Sequence, residues 1–344
     1  MASPVRMTIS EVHALCMRGL IAHKLNFESA HALANVITAA ERDGCRSHGL
    51  FRLPHYIDSL RYGLVDPETC PKLLPSAGSA VRVDAQKSFG ALAWQLGLPQ
   101  LVSKARQNGI AAYAVYNVFH YSALWHEMED LAKEGLVGMA FLNSKSFVAH
   151  HGGSSKIYGT NPMAFGFPRG PDQPPVVFDQ ASAVMARGDI MMKEQQGDSI
   201  PPGCALDAAG NPTTDPAAAL EGAQLTFGGA KGSNIALMVE LMAAGLTGMP
   251  WSYEARQECV DQNSSVPTRN GEFVIAINPE MFGGTSEDTT KRLEELFEHI
   301  LADPGTRLPS QRRYSSRQIS ETEGIDVDSK IHQAIMDRIQ TAEE

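Results

Sequence analysis

The chain has 344 residues, of which 43% are hydrophobic and 20% charged, and its formal net charge is −10. Such a length suits two domains or one large, elaborated domain, and the composition is typical of a globular protein rather than a disordered chain. The acidic balance and the lack of a long basic run predict that neither nucleic acid nor an anionic membrane is a main partner. The first residues lack the apolar segment of a secretory signal, and no run reaches the ~20 apolar residues that a membrane span needs, so we expect a cytoplasmic protein.

The N-terminal part of the chain is predicted to be helical. Thr8 followed by Glu11 has the spacing of a capping box, which opens a first helix. A second helix is expected over residues 28–42, where apolar residues recur at helical spacing, and Gly44 ends it. A third, short helix follows around residues 56–60.

Beyond a linker rich in proline, serine and glycine, predicted strands and helices alternate. This alternation is typical of an α/β layer around a largely buried sheet. The predicted strands cover residues 80–84, 110–117, 136–143, 163–168, 175–179 and 272–278, and the predicted helices cover 89–108, 123–133, 182–194, 232–246, 286–301 and 328–341. Residues 203–216 are predicted to form a turn-rich loop.

The two ends of the chain share a helical character, which predicts that they fold together. We expect an α/β fold with two lobes, in which residues 1–78 and 284–344 form a helical lobe and residues 79–283 form an α/β domain inserted between them. The five cysteines contain no C-x-x-C pair, and His150-His151 has no third ligand at metal-binding spacing. The sequence therefore predicts neither a disulfide framework nor a metal site.

The stretch from Arg42 to Arg52 carries the most suggestive chemistry. Gly44 breaks the second helix, Ser47 and His48 follow, and Arg52 lies four residues beyond the histidine. An imidazole is a proton donor that titrates near neutral pH, and a guanidinium can grip a carboxylate with two N–H groups. These side chains could form half of an active site for a small anionic substrate. The competing interpretation is a helix end whose Gly44 is a left-handed cap and whose polar residues face water.

Other polar segments lie where predicted strands end or helices begin. His120 and Ser122 follow one strand and Asp179 ends another, at the usual ligand edge of an open α/β sheet. No G-x-G-x-x-G motif follows a strand, so the Rossmann fingerprint is absent. The glycine-rich residues 228–233 suit a phosphate or a carboxylate, or simply a tight helix entry. Asp189 could orient an imidazole, but without a G-x-S-x-G elbow a serine hydrolase triad is not favoured.

A set of motifs links the chain to one known family. The motifs, in chain order, are Arg42-Asp43-Gly44 with Ser47-His48-Gly49 and Arg52, Tyr158-Gly159-Thr160-Asn161-Pro162, Phe227-Gly228-Gly229 with Lys231-Gly232, and Arg307-Leu308-Pro309. Over nearly the whole chain they resemble the malate/lactate/ureidoglycolate/sulfolactate dehydrogenase family, whose NAD(P)-binding fold is not of the Rossmann type. Within that family the chain is most similar to the Δ1-piperideine-2-carboxylate/Δ1-pyrroline-2-carboxylate reductases, through Ser47 to Pro54, Ala123-Leu124-Trp125, Asn143-Ser144, and Phe178-Asp179 with Arg187-Gly188-Asp189.

The resemblance implies an NADPH-dependent oxidoreductase, with NADH as an alternative cofactor. It would reduce Δ1-piperideine-2-carboxylate to L-pipecolate and Δ1-pyrroline-2-carboxylate to L-proline, as in lysine or proline breakdown, and would work as a homodimer. His48 would be the proton donor, with Ser47 and Asp189 holding its ring. The substrate would contact Arg52, Thr160, Arg187 and Gly188, and the cofactor would contact His120, Tyr121, Ser122, Ala123, Leu124, Phe178, Asp179, Gln180, Ala230, Lys231, Arg307, Arg312 and Arg313.

Three positions depart from the family pattern. Ala230 stands where a histidine is expected, Ser310-Gln311 replaces a glycine and an acidic residue, and Ala149-His150-His151-Gly152 replaces a proline-bearing version. These departures leave nucleotide preference and substrate range open. A 2-hydroxy acid such as malate, lactate or ureidoglycolate would present the same carboxylate to Arg52, so an NAD(P)-dependent 2-hydroxy acid dehydrogenase is the alternative function. A dinucleotide-binding protein without catalysis is less favoured, because the catalytic set is complete.

Overall fold

The computed structural model describes residues 3–119, 122–170, 173–261, 269–283 and 287–343. Helices and strands alternate through the middle of the chain, and helices dominate both ends. The helices are α1 (Ile9–Ala22), α2 (Phe27–Arg42), α3 (Leu53–Arg61), α4 (Gly90–Asn108), α5 (Trp125–Lys133), α6 (Arg187–Gln196), α7 (Pro216–Glu221), α8 (Ala230–Glu240), α9 (Ser252–Asp261), α10 (Glu287–Leu301), α11 (Gln311–Glu323) and α12 (Ser329–Glu343). The strands are β1 (Val5–Met7), β2 (Lys72–Leu74), β3 (Ala80–Asp84), β4 (Ile110–Val118), β5 (Val137–Leu142), β6 (Val148–Ala149), β7 (Lys156–Tyr158), β8 (Met163–Phe167), β9 (Val176–Gln180), β10 (Ala205–Leu206), β11 (Pro212–Thr213), β12 (Ala223–Gln224), β13 (Asn270–Ile277) and β14 (Ile325–Val327).

A seven-stranded mixed sheet forms the centre of the α/β part, in the order β2-β3-β4-β13-β5-β8-β9. Its apolar strands bury residues such as Val83, Val115 and Ala140, and α4 and α5 pack against it. The pairings make β4, β5 and β9 run in the same direction, because each is separated from the next by one antiparallel strand. Their C-terminal ends therefore lie at one edge of the sheet, where open α/β folds bind ligands. The predicted α/β class is confirmed.

A second core joins the two ends of the chain. Strand β1 pairs antiparallel with β14, and α1 packs against α2, α3 and α12. The capping box predicted at the start of α1 is confirmed, since Thr8 and Glu11 exchange side chain to backbone hydrogen bonds. Buried apolar side chains from both ends meet there, among them Val12, Ile57 and Ile335. This core carries the segment that follows α2, and so positions the Ser47-His48 turn.

Two local predictions are wrong, and one helix was not predicted. The helix expected over residues 182–194 begins only at Arg187, because residues 182–184 run extended beside residues 225–227. The loop expected over residues 203–216 contains β10 and β11, which pair as a hairpin. Helix α11 was not predicted because its sequence has no apolar stripe, which agrees with the fact that none of its residues is buried.

Within the described ranges, no helix is long and apolar enough to cross a membrane.

Candidate active site

The turn after α2 is fixed by one buried carboxylate. Gly44 adopts a φ of +73° as the left-handed cap predicted for this helix end. Two short 3₁₀ turns follow, Arg46–His48 and Leu50–Arg52. The buried Glu41 accepts the N–H of Leu50 at 2.8 Å, and Gly49 packs so closely on Glu41 that a Cβ there would overlap its carboxylate. Glu41 thus anchors the turn that carries Ser47 and His48, a role that the sequence pattern does not predict.

His48 is held at one ring nitrogen and is open at the other. The Oγ of Ser47 lies 3.2 Å from Nδ1 of His48. The ring has no other hydrogen-bond partner among the described residues, which leaves Nε2 available. Burial and the positive charge of Arg52 lower the pKa of His48 to about 4, so the imidazole is neutral at pH 7 in the free protein.

The guanidinium of Arg52 lies beside the Ser47-His48 turn. Its Nε donates to the carbonyl of Ser47 at 2.9 Å, which fixes the side chain and leaves the two terminal nitrogens for a ligand. A Cβ built on Gly188 would lie 3.1 Å from a terminal nitrogen of Arg52 and 3.2 Å from Cβ of Ser47. The start of α6 therefore forms one wall of the site. The structure brings together Ser47, His48, Arg52 and Gly188.

Asp189 and Thr160 are less closely engaged. The carboxylate of Asp189 makes no hydrogen bond or ion pair with His48 or with any other described residue, although its charge acts on Arg52. Thr160 accepts the N–H of Ser182 through its carbonyl at 2.8 Å. Its neighbour Asn161 is buried and donates to Glu240 at 2.7 Å, which fixes the sharp turn. The described contacts place neither Asp189 nor Thr160 against the imidazole.

One group of predicted cofactor residues meets at the C-terminal edge of the sheet. The carboxylate of Asp179 accepts the N–H groups of Leu124 at 2.7 Å and Trp125 at 3.1 Å, and thereby caps α5. Burial raises the pKa of Asp179 to about 6. Arg313 stacks on the Trp125 ring at 4.8 Å and donates to the carbonyl of Val177. Ser122 and Ala123 precede this cap, Phe178 and Gln180 flank Asp179, and His120 and Tyr121 lie outside the described residues.

A second group lies at the start of α8. Ala230 and Lys231 are exposed in its first turn, and no described side chain caps the helix. The ring of His151 lies 3.3 Å from the position of a Cβ on Gly229, so the 150–151 loop borders this entry. Arg307 and Arg312 are also exposed and form no ion pair with a described residue. Within the part of the chain that the structure describes, no cluster of His, Cys, Asp or Glu is arranged to hold a metal ion.

Sequence reasoning also missed how the arginine-rich segment is attached. Arg317 of α11 donates to Asp43 at 2.9 Å and to Glu129 at 3.0 Å. Asp43 is buried, and the two arginines beside it, Arg317 and Arg42, outweigh its burial and lower its pKa. This network fastens α11 to the end of α2. The Arg42-Asp43-Gly44 motif marks one end of this network in the sequence. Its partner Arg317 lies 274 residues away, so the contact could not be predicted from the motif.

Comparison with known proteins identifies the family of the chain. The profile of the malate/L-lactate dehydrogenase family matches residues 7–336. Δ1-Pyrroline-2-carboxylate reductase 1 of Burkholderia ambifaria is 45% identical over 96% of this chain and 97% of its own. The Δ1-pyrroline-2-carboxylate/Δ1-piperideine-2-carboxylate reductase of Pseudomonas aeruginosa is also 45% identical, over 96% of this chain and 98% of its own.

Solved structures show the same fold. The Δ1-piperideine-2-carboxylate reductase of Pseudomonas syringae superimposes with a TM-score of 0.89 at 36% identity, over 98% of this chain and 99% of that one. The sulfolactate dehydrogenase of Methanocaldococcus jannaschii gives a TM-score of 0.86 at 27% identity, over 98% of each chain. The similarity thus extends over the whole molecule rather than over one domain.

Proposed function

The chain belongs to the malate/L-lactate dehydrogenase family, and we propose that it reduces a cyclic imine carrying a carboxylate next to the C=N carbon. The two substrates are Δ1-pyrroline-2-carboxylate, which gives L-proline, and Δ1-piperideine-2-carboxylate, which gives L-pipecolate. The relatives in Burkholderia ambifaria and Pseudomonas aeruginosa, named for these reactions, support the assignment. The protein is accordingly an oxidoreductase.

The juxtaposition of Arg52 and His48 carries the proposal. Arg52 is fixed through Nε by the carbonyl of Ser47, so its two terminal nitrogens can bind both oxygens of one carboxylate. His48 belongs to the same turn and has Nε2 free for the atom next to the substrate's reacting carbon. The substrate is thus oriented by its carboxylate, and the imine nitrogen meets a group that can hold a proton.

The proton on His48 depends on what binds Arg52. In the free protein burial and the Arg52 charge keep the imidazole neutral. A carboxylate bound to Arg52 offsets that charge and so raises the pKa of His48. Ser47 keeps its contact with Nδ1, and Nε2 then donates the proton to the imine nitrogen. Asp189 contributes a negative charge near the site that favours the protonated ring, without a direct bond to it.

The reduction needs a hydride, which a nicotinamide supplies when bound. The predicted cofactor residues suit a dinucleotide, because no described side chain caps the N–H groups of α8 beside Lys231, and Arg307 and Arg312 form no ion pair with a described residue. Asp179 orders the turn from Ser122 to Leu124 through its bonds to α5. We assign these residues to the cofactor and propose NADPH as the preferred nucleotide.

The larger organisation is also part of the proposal. The pairing of β1 with β14 supports a helical lobe built from residues 1–78 and 284–344, with the α/β domain of residues 79–283 inserted between them. The homodimer implied by the family resemblance, and the cytoplasmic location, stay predictions. Sedimentation of the purified protein measures the first of these.

The alternative function is NAD(P)-dependent oxidation of a 2-hydroxy acid. The similarity to a sulfolactate dehydrogenase is consistent with this alternative. Oxidation of NADPH and NADH is measured with both cyclic imines and with open-chain 2-oxo acids. We expect the imines to give a kcat/KM at least about tenfold higher than the 2-oxo acids do, since a site that fits a C=N group discriminates against a C=O group. A higher kcat/KM with an oxo acid would select the alternative.

A further inference from the structure

Two cations flank one aromatic ring beside the Arg52 clamp. The guanidinium of Arg187 lies 4.0 Å from the ring centroid of Phe147, and the ammonium of Lys145 lies 5.7 Å from the same centroid. Both distances are within the range in which a cation is attracted to an aromatic face. Phe147 therefore holds the Arg187 guanidinium in a defined orientation.

These cations lie at the edge of the sheet that holds the active site. Lys145 follows the C-terminal end of β5, and Arg187 directly precedes Gly188, which packs on Arg52 and Ser47. Burial, then the charges of Arg52 and Lys145, lower the pKa of His55 to about 4. Burial, then the charges of Arg256 and Arg52, lower the pKa of Arg187 to about 10. The cations are thus close enough to act on one another.

The positive charge of Arg187 is not neutralised by a partner. It is half-buried, and its guanidinium donates no hydrogen bond and forms no ion pair among the described residues. Glu221 is the acidic group whose charge acts on it, and Glu221 is exposed. Arg187, Arg256 and Arg52 carry like charges that repel one another, and a bound anion relieves this repulsion.

We propose that Arg187 forms a second anion subsite beside Lys145, and that the enzyme accepts a cyclic imine with a second carboxylate on its ring. Arg52 binds the carboxylate next to the C=N carbon, and Arg187 binds the other. The proposal rests on the proposed function and names its substrate class. A cofactor phosphate is the less favoured occupant, because Arg187 adjoins Gly188 and Arg52, whereas the cofactor segments meet around Asp179 and α8.

The first experiment compares Δ1-piperideine-2-carboxylate with Δ1-piperideine-2,6-dicarboxylate, using NADPH and the full-length enzyme. Arg187→Met is expected to lower kcat/KM for the dicarboxylate about 10- to 100-fold more than for the monocarboxylate, the usual worth of a charge-assisted hydrogen bond. Arg187→Lys keeps the positive charge but not the two parallel N–H groups of the guanidinium, so it should lower the kcat/KM for the dicarboxylate less than Arg187→Met does. Arg256→Met removes a neighbouring charge whose guanidinium donates to the carbonyl of Ser146, and it should change the ratio of the two substrates less than Arg187→Met does.

A binding measurement separates this proposal from the proposed function. Affinities of the NADPH-loaded enzyme for pyridine-2-carboxylate and pyridine-2,6-dicarboxylate need no turnover. The subsite is supported if the dicarboxylate binds more tightly than the monocarboxylate and if Arg187→Met abolishes this difference. That result would stand even if no imine is reduced and the proposed function fails. Reduction of the monocarboxylate with neither reduction nor tighter binding of the dicarboxylate overturns the subsite alone. A raised KM for NADPH in Arg187→Met, with an unchanged substrate ratio, overturns it in favour of a cofactor phosphate.

Discussion

His48 combines a polar partner at Nδ1, the Oγ of Ser47, with the nearby positive charge of Arg52. His126, by comparison, stacks on Trp125 at 3.6 Å, and burial lowers its pKa to about 3. His48→Ala is expected to lower kcat for the imine by about 10²–10⁴-fold, because a general acid is lost. Steady-state oxidation of NADPH measures this, and His299→Ala, on an exposed part of α10, serves as the control.

The pH dependence of the same reaction tests the proton assignment. His48 is neutral in the free protein because its pKa is lowered to about 4, so fewer molecules carry the proton as the pH rises. In the wild type, kcat/KM is expected to increase as the pH falls from 8 towards 5. Near-normal turnover in His48→Ala, with the same pH profile as the wild type, would remove His48 from the mechanism.

Gly188 offers a second test, because its missing side chain makes room for Arg52. A Cβ at Gly188 lies 3.1 Å from a terminal nitrogen of Arg52, closer than ordinary van der Waals contact. Gly188→Ala is expected to displace the guanidinium and raise the KM for the imine about tenfold, since a bidentate clamp depends on its geometry. Gly170→Ala, whose Cβ would meet only Thr290 at 3.6 Å, is the control, and equal KM values in the two variants would contradict the proposed clamp.

At the residue scale, the sequence predicts the reactive side chains better than it predicts the residues that hold them in place. Ser47, His48 and Arg52 lie within six positions, so their proximity follows from local spacing. Glu41 looks like an ordinary helix residue in the sequence, and only the fold turns its carboxylate toward Leu50. The absence of a bond between Asp189 and His48 could not be predicted either, because it depends on where α6 begins.

At the scale of elements, Asp179 connects β9 to the start of α5. Asp179→Ala removes the acceptor for Leu124 and Trp125, so it should lower the free energy of unfolding by about 0.5–2 kcal/mol, the usual cost of a lost helix cap. It should also raise the KM for NADPH, because the preceding turn loses its anchor. Asp179→Asn should restore part of the lost stability and bring the KM for NADPH part of the way back. Denaturant unfolding and initial rates measure the two effects.

A matched control exists at another helix. Asp215 caps α7 by accepting the N–H of Ala217 at 3.1 Å. Asp215→Ala therefore removes a cap of the same kind and should leave the KM for NADPH unchanged. Equal changes of that KM in the two variants would mean that Asp179 acts only through general stability.

Long apolar elements were predictable, and elements held by distant polar partners were not. Strands β3, β4 and β5 carry enough buried residues to stand out in the sequence. Helix α11 buries none and is fastened instead by Arg317, which binds Asp43 and Glu129. The extended run over residues 182–184 likewise depends on its pairing with residues 225–227, far along the chain.

At the scale of the whole molecule, two acidic groups, one in the central sheet and one in the helix packed on it, meet where the sequence pattern does not predict them. Glu272 lies within β13 and is 1% exposed, and its carboxyl group lies close enough to that of Glu127, in the first turn of α5, for the two groups to affect each other's pKa. Burial raises the pKa of both groups, and mutual repulsion raises that of Glu127 further. An acidic residue at this position of a strand would ordinarily indicate an exposed face, so the sequence could not predict the pair.

These carboxyls make the stability of the protein depend on pH with a definite sign. Their folded pKa values lie above those of the unfolded chain, so the folded state binds more protons, and their contribution to stability falls as the pH rises above about 4.5. The lowered pKa values of His48 and His126 act in the opposite direction below pH ~6.5 and add no pH dependence above it. Glu272→Gln removes one ionisable group at little change in shape, so it should raise the free energy of unfolding at pH 8 by about 1–3 kcal/mol, and much less at pH 5. Denaturant unfolding at both pH values measures the difference, with exposed Glu298→Gln as the control. A gain that is the same at pH 5 and pH 8 would show that the buried pair does not hold its extra proton.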